Sequence, residues 1–205
     1  MEHKVITIAR ETGSGGYHVA QKLSKLLVIP CYDRELLRRA SDVSGIHERL
    51  FGLADERSGW KEMITSAKKV YNGEILPADS DDYISTSNLF SFQAKIIKDL
   101  AKEESCIILG RCGNYLLKDQ PDVVRVFIHA PLEVRYKNVA SYSEGKSESE
   151  ILREIRKEDK RRSAYYHYYT GEEWRDVSGY DLCLDSSKLG EDGCAEKICR
   201  LLELF

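Results

Sequence analysis

No stretch of this 205-residue chain is apolar for long enough to span a bilayer. Its first residues, M-E-H-K-V-I-T-I, enter a strand-like run without the long apolar segment of a signal peptide. These absences predict a cytoplasmic protein with no membrane partner. A surplus of cations is also missing: 31 Lys and Arg against 34 Asp and Glu leave a net charge of −3. That balance predicts no nucleic-acid partner, so any phosphate binding must come from local arginine clusters. The six cysteines have no zinc-site spacing, and the five histidines have no ligand spacing, so no protein-held metal is predicted. Cys31, Cys106 and Cys183 fall in or beside strand-like runs, where a thiol acts as a small hydrophobe. No Ser/His/Asp or Cys/His arrangement, internal repeat or low-complexity tract is found. What remains is one compact unit, or one domain with an inserted lid, long enough for a substantial core.

Strand-like runs recur at Val5–Ala9, Ile29–Cys31, Cys106–Leu109, Val123–Ile128 and Tyr180–Leu184. C-I-I-L and V-V-R-V-F-I are nearly all apolar, as expected of strands covered on both faces. Helical spacing of apolar residues fills the intervals Gly16–Leu27, Asp33–Ser44, Ser91–Glu103, Leu132–Ala140 and Cys194–Leu204. The alternation predicts an α/β fold with a doubly wound parallel sheet, its functional residues gathered at the carboxyl ends of the strands. Two segments break the rhythm. Gly45–Asn88 reads as helical and then turn-rich, too long for an ordinary crossover. Ser141–Arg162 is highly charged with little apolar stripe, which fits either a solvated helix or a lid carrying arginines over a polyphosphate.

Gly13, Ser14, Gly15 and Gly16 lie between the first strand and the first helix. Small residues there let a turn expose successive N–H groups, and the helix adds its own unpaired N–H groups and positive dipole end. That is a phosphate cradle. Against the pattern G-x-x-x-x-G-K-[ST], however, Arg10 stands for the first glycine, Gly16 for the lysine and Tyr17 for the hydroxyl residue. A turn needed only for strand-to-helix packing is the competing reading. Spacing also excludes the dinucleotide fingerprint G-x-G-x-x-G, because position 18 is His18.

Three further groups could carry chemistry. Asp33 and Arg34 follow the second strand, where Asp33 could simply cap a helix or could meet a ligand hydroxyl or amino group. Arg111 leaves the core strand in I-I-L-G-R-C-G-N-Y-L-L, and a buried arginine demands an anionic partner, internal or bound. Arg156 to Arg162 form a basic cluster around Asp159, with Arg162 three residues on and sharing its face. Phosphoryl transfer needs positioning and positive charge of this kind. The run Y165-Y-H-Y-Y reads as packing groups in preference to base-stacking ones.

With these pieces placed, nearly the whole chain resembles the cytidylate kinase-like family, a divergent branch of the P-loop nucleoside monophosphate kinases. The resemblance rests on I-A-R-E-T-G-S-G-G, I-P-C-Y-D-R-E-L-L, I-I-L-G-R-C-G-N-Y-L-L, R-V-F-I-H-A-P-L-E-V-R, and D-K-R-R-S-A-Y-Y followed by Y-D-L-C-L-D-S-S-K-L-G, in that order. It implies a three-layer P-loop NTPase-like core, an acceptor-binding insert at about 38–90 and a lid at about 141–165. It further implies Asp33 on the acceptor nucleotide, Arg111 on its phosphate, and Arg162 with Asp159 in the catalytic lid.

Two functions are carried forward. The first is a nucleotide kinase moving the γ-phosphoryl group of ATP, with Mg²⁺, to a nucleoside monophosphate, CMP or dCMP by resemblance. Gly13, Ser14, Gly15, Gly16 and Tyr17 would hold the donor phosphates, Asp33, Arg34 and Arg111 the acceptor, and Arg161, Arg162 and Asp159 would serve the transition state. Arg10 is the nearest cation able to stand in for the absent lysine. The second is a non-catalytic sensor that binds a nucleotide or another phosphorylated ligand and reports through lid closure. A homo-oligomer is compatible with either.

Overall fold

The computed structural model describes residues 3–52, 63 and 69–204. Strands β1 (Val5–Arg10), β2 (Cys31–Tyr32), β3 (Cys106–Leu109), β4 (Val123–His129) and β5 (Leu182–Asp185) form one sheet in the order β2-β3-β1-β4-β5. Every neighbouring pair runs parallel. Helices α1 (Gly16–Leu27), α2 (Glu35–Ser44), α3 (Glu48–Gly52), α4 (Thr86–Glu103), α5 (Gly113–Leu116), α6 (Leu132–Ala140), α7 (Glu148–Thr170) and α8 (Ser186–Leu202) surround it.

The sheet is buried on both faces because its strands are apolar at both parities. On β1, Ile6 and Ile8 join Leu23 of α1 and Cys194 and Ile198 of α8 in one core. Val5 and Ala9 point the other way, into a core with Leu36 of α2, Ile97 of α4 and Tyr169 of α7. Each fully buried Ile or Leu contributes about 1.5–3 kcal/mol relative to exposure. The result is the predicted doubly wound, three-layer α/β fold. The second strand and the fifth begin two residues later than the sequence suggested. Tyr180, expected in β5, instead ends a 3₁₀ turn at Val177–Gly179 and donates from its hydroxyl to Trp174 O at 2.7 Å.

The thiols behave as small hydrophobes. All six are free, and burial pushes Cys31 up to about 11 and Cys106 up to about 12, so neither is a thiolate near neutral pH. Among the described residues, no helix is long and apolar enough to cross a membrane.

Both irregular segments are better anchored than their composition indicates. Helix α4 starts five residues before the predicted Ser91, because the Ser85 side chain caps it at Asn88 N. Asn88 then pins the turn-rich stretch, accepting from Leu76 N at 2.8 Å and donating to Tyr83 O at 2.7 Å. Of the insert predicted at 38–90, residues 53–62 and 64–68 lie outside the described residues. The charged run expected to lack apolar anchors does have them. Helix α7 opens with a Ser147/Glu150 capping box, and Ile151 and Ile155 are buried against Val139 of α6. An aromatic block holds its far end: Tyr169 stacks on Phe90 at 4.0 Å between ring centroids.

Candidate active site

Strand β1 ends at Arg10, β3 at Leu109 and β4 at His129, all at the same edge of the parallel sheet. The glycine-rich loop turns there under tight steric limits. Gly13 has φ +80°, and a Cβ on it would lie 2.6 Å from Arg135 O. Gly15 takes φ +76° as the residue before α1, whose first N–H groups open toward the cleft. Asn138 holds the loop from α6 by donating to Gly13 O at 2.8 Å. Ser14 departs from its predicted role. Its N–H and hydroxyl both donate to Glu11 O, at 3.2 and 2.9 Å, and its side chain is buried away from the cleft.

Gly16 is explained by Arg10. A Cβ at position 16 would lie 2.5 Å from Arg10 Cβ and 3.0 Å from its Cγ. The Arg10 stem therefore fills the space that a lysine at 16 would need. Its guanidinium continues to Gly110, where a Cβ would come within 2.5 Å of Arg10 Nη1.

Gly110 begins a strained turn. Gly110, Arg111 and Cys112 have φ of +78°, +53° and +57° in succession. For non-glycine residues the left-handed region costs about 1–2 kcal/mol each, and such strain gathers at functional positions. The turn folds the Arg111 side chain back beneath the sheet edge, where it donates to Gln93 Oε1 at 3.1 Å. It also stands 3.9 Å from Asp33 Oδ1, at the limit of ion pairing. Asp33 does not cap α2, whose N-terminus has no side-chain cap, so its carboxylate remains directed at Arg111. Arg34 is exposed on the outside of the turn and is not brought into the site.

Two cavities meet at this edge. The first is lined by Arg10, Arg111, Arg161 and Arg162 with Tyr165, Tyr166 and Trp174, and no Asp or Glu is among its lining residues. Four guanidinium groups around one space, without a lining carboxylate, make a site for an anion. Burial raises the Tyr166 phenol well above its usual range, so it stays protonated and acts there as a hydrogen-bonding group. The second cavity runs along Gly13, Gly15, Gly16 and Tyr17 to Tyr142 and Glu191. Arg10 and Arg162 line both cavities. Arg162 is fixed by donating to Thr12 Oγ1 at 2.9 Å and to Arg10 O at 3.2 Å. Arg161 pairs with Glu158 on its own helix.

Asp159 has a different place from the one the resemblance implied. It is buried, lines neither cavity, and accepts from Thr12 N at 2.8 Å, Arg135 Nη1 at 2.5 Å and Arg175 Nη2 at 3.2 Å. Glu11 closes the network through Arg135 at 3.4 Å and Arg175 at 2.7 Å. This lattice ties the glycine-rich loop to α6 and α7 through the Asp159 carboxylate. Sequence reasoning missed Glu11, Arg135 and Arg175. One signal was available: Arg135 stands on the stripe Leu132, Tyr136 and Val139 of α6, where an arginine must find a buried partner.

The donors in the cleft do not suit a protein-held Mg²⁺. Tyr17 replaces the loop hydroxyl, and the two lining carboxylates are engaged, Glu11 by arginines and Glu191 by His18 at 2.8 Å and Lys22 at 3.5 Å. Among the described residues, no group of three or more His, Cys, Asp or Glu could hold a metal. Phosphates themselves remain good ligands for Mg²⁺, which commonly reaches such sites on the nucleotide.

Comparison with known proteins agrees with this architecture. A cytidylate kinase from Methanosarcina mazei is 28% identical over 189 residues, covering 89% of this chain and 87% of that enzyme. A cytidylate kinase from Methanosarcina barkeri is 31% identical over 86 residues, and the match spans only about half of its length, 47%. An uncharacterized protein from Eubacterium ventriosum superposes with a TM-score of 0.71 at 27% identity, covering 98% of both chains. The shikimate kinase of Bacteroides thetaiotaomicron shares the fold alone, with a TM-score of 0.54 at 12% identity. Residues 5–188 match the sequence model of one family across the strained Gly110–Cys112 turn, the glycine-rich loop and the arginine-bearing helix alike, and the chain accordingly belongs to the cytidylate kinase-like family.

Proposed function

We propose that this protein is a nucleotide kinase that transfers the γ-phosphoryl group of ATP to a nucleoside monophosphate, with CMP or dCMP as the acceptor that the family favours. The observation that carries the reading is the sharing of Arg10 and Arg162 between the two cavities. A donor lying along the glycine-rich loop and an acceptor among the arginines would bring their phosphates together at that pair. An acceptor phosphate oxygen forms the new bond to the γ-phosphorus while the bond to the β,γ-bridging oxygen breaks, and that electron pair leaves with ADP. The attacking oxygen of a nucleoside monophosphate is already ionised near neutral pH, so no general base is needed. That fits a site rich in arginine, beside which the buried carboxylate of Asp159 is occupied by Thr12 N and Arg135.

In this reading Gly13, Gly15, Gly16 and Tyr17 supply N–H groups to the donor, and Arg111 with Asp33 holds the acceptor. Arg10, Arg161 and Arg162 neutralise charge on the transferring group. Mg²⁺ would arrive on the donor's phosphates. The test is ADP formation from ATP with a panel of nucleoside monophosphates. CMP- or dCMP-dependent turnover is expected, and no acceptor-dependent turnover from any of the panel sinks the proposal.

The sensor reading is favoured by one feature, the loop without a lysine or a metal-binding hydroxyl. Thermal-shift titration separates the two, because a ligand that binds only the folded state raises the melting temperature. Stabilisation by nucleotides without turnover selects the sensor.

Restoring the standard loop is expected to fail. Gly16→Lys places a Cβ against Arg10 Cβ, so it should destabilise the protein by about 1–3 kcal/mol through overpacking and displace Arg10 from the junction of the cavities. Unfolding and turnover measurements check this. A stable variant with a large gain in rate would mean that the loop lacks only one charge.

A further inference from the structure

The glycine-rich loop lacks the usual lysine, and among the described residues no cluster of His, Cys, Asp or Glu could hold the metal, yet two glycines are arranged around one arginine. Arg10 leaves the end of β1, passes over Gly16 where a Cβ would be 2.5 Å away, and reaches Gly110 where a Cβ would be 2.5 Å from Nη1. A side chain at position 16 would collide with the Arg10 stem, and one at position 110 would displace its guanidinium. Arg162 approaches from α7 and donates to the carbonyl of Arg10 itself and to Thr12 Oγ1. Two guanidinium groups thereby flank the inner end of the donor cleft.

The carboxylates and small hydroxyls of that cleft are committed within the protein. Thr12 Oγ1 accepts from Arg162, and Ser141 Oγ donates to Asn138 O at 2.7 Å. Glu11 bridges Arg135 and Arg175, and Glu191 is held by His18 and Lys22. A divalent ion binding directly to any of these carboxylates would have to break an ion pair. Lys22, the first lysine of α1, is likewise held by Glu191 and Asp192 and is not among the residues lining the cleft.

We propose that the glycine-rich cleft holds its polyphosphate through Arg10 and Arg162 and does not require a divalent cation for that binding, with Arg10 taking both the space and the charge of the missing loop lysine. The inference deepens the kinase reading in naming the groups that hold the donor, and it rests on that reading for the identity of the ligand. Its prediction concerns binding and is independent of turnover.

The experiment measures ATP affinity by calorimetry on the full chain, once with excess EDTA and once with excess MgCl₂. Metal-free ATP is expected to bind within about threefold of MgATP, and Arg10→Gln is expected to weaken metal-free binding at least tenfold, about 1.4 kcal/mol. Arg10→Lys keeps a cation and most of the stem beside Gly16. It should lie between the wild type and Arg10→Gln, and it serves as the test if Arg10→Gln does not fold. Wild-type binding that falls more than about tenfold in EDTA overturns the proposal. So does full affinity in Arg10→Gln, or equal weakness in both variants. Metal-free binding without phosphoryl transfer to any acceptor leaves this inference standing and removes the kinase reading. Acceptor-dependent turnover together with wild-type ATP binding that is lost in EDTA does the reverse. No binding of either form of ATP removes the inference together with ATP as the ligand.

Discussion

Arg111→Ala should reduce acceptor-dependent turnover by about 10- to 100-fold, from the loss of roughly 1.5–3 kcal/mol of charged hydrogen bonding, while the melting temperature hardly changes. The two effects separate because of what surrounds the side chain. Arg111 is buried, but Arg10, Arg161 and Arg162 line the same cavity, so in the free protein its removal relieves repulsion between like charges. Its partners include an amide oxygen at 3.1 Å and a carboxylate at 3.9 Å, at the limit of ion pairing. Alanine keeps the positive-φ backbone strain at this position, so no stability is recovered from the turn. Initial rates at saturating ATP over a range of acceptor concentrations, together with thermal unfolding, provide the check. If Arg111→Ala unfolds the protein and leaves activity per folded molecule intact, the residue is a structural ion-pair member and the acceptor site lies elsewhere.

The legibility of this protein in its sequence follows the range of the interactions. Strands β1, β3 and β4 announce themselves because a strand covered on both faces must be apolar at every position, and C-I-I-L can be little else. The glycines at 13 and 15 were readable as a turn, since backbone geometry is local. The reason for Gly16 was not. It depends on the path of Arg10, and only the fold brings that stem across the next helix and onto Gly110. Arg111 was legible as a charge at a core strand end, and Asp33 as its neighbour, because adjacent parallel strands end at the same edge. Arg34 takes a different position from Asp33: adjacent residues at a turn diverge, and Arg34 is the exposed one of the pair.

The charged segment misled in a different way. Its composition suggested a run with little to hold it, yet two isoleucines four residues apart suffice to bury one stripe against α6. Asp159 lies four residues beyond Ile155 on the same stripe, which takes its carboxylate into the interior and away from the cleft. Spacing alone paired it with Arg162, but those groups stand 3.9 Å apart while Arg135, from another helix, is at 2.5 Å. The long-range partner holds the shorter contact; the apolar stripe of α6 marks Arg135 as needing a buried partner, but only the fold identifies that partner as Asp159.

That arrangement gives the largest expected loss of stability. Asp159→Ala should destabilise the protein by about 3–5 kcal/mol, the usual cost of removing one partner of a buried ion pair, a large share of the roughly 5–15 kcal/mol that holds a domain together. Arg135 is buried on α6, so without Asp159 its charge would be left with Glu11 at 3.4 Å and the carbonyls of Ala130 and Thr12. Thr12 N would lose the Asp159 carboxylate as its acceptor at the base of the glycine-rich loop. Stability and donor binding should therefore fall together, which a purely structural pair remote from the loop would not produce. Asp159→Asn keeps an acceptor for Thr12 N but removes the charge, so it should restore part of the donor affinity while recovering less of the stability. The double variant Asp159→Leu with Arg135→Met separates the terms further, because replacing both buried ions with apolar groups is often neutral or stabilising. It should unfold closer to wild type than Asp159→Ala does, yet still bind ATP weakly, since Thr12 N remains without its carboxylate. Urea unfolding and ATP titration of the three variants measure both quantities. Wild-type donor affinity in the refolded double variant would show that the network holds α7 in place without positioning the loop.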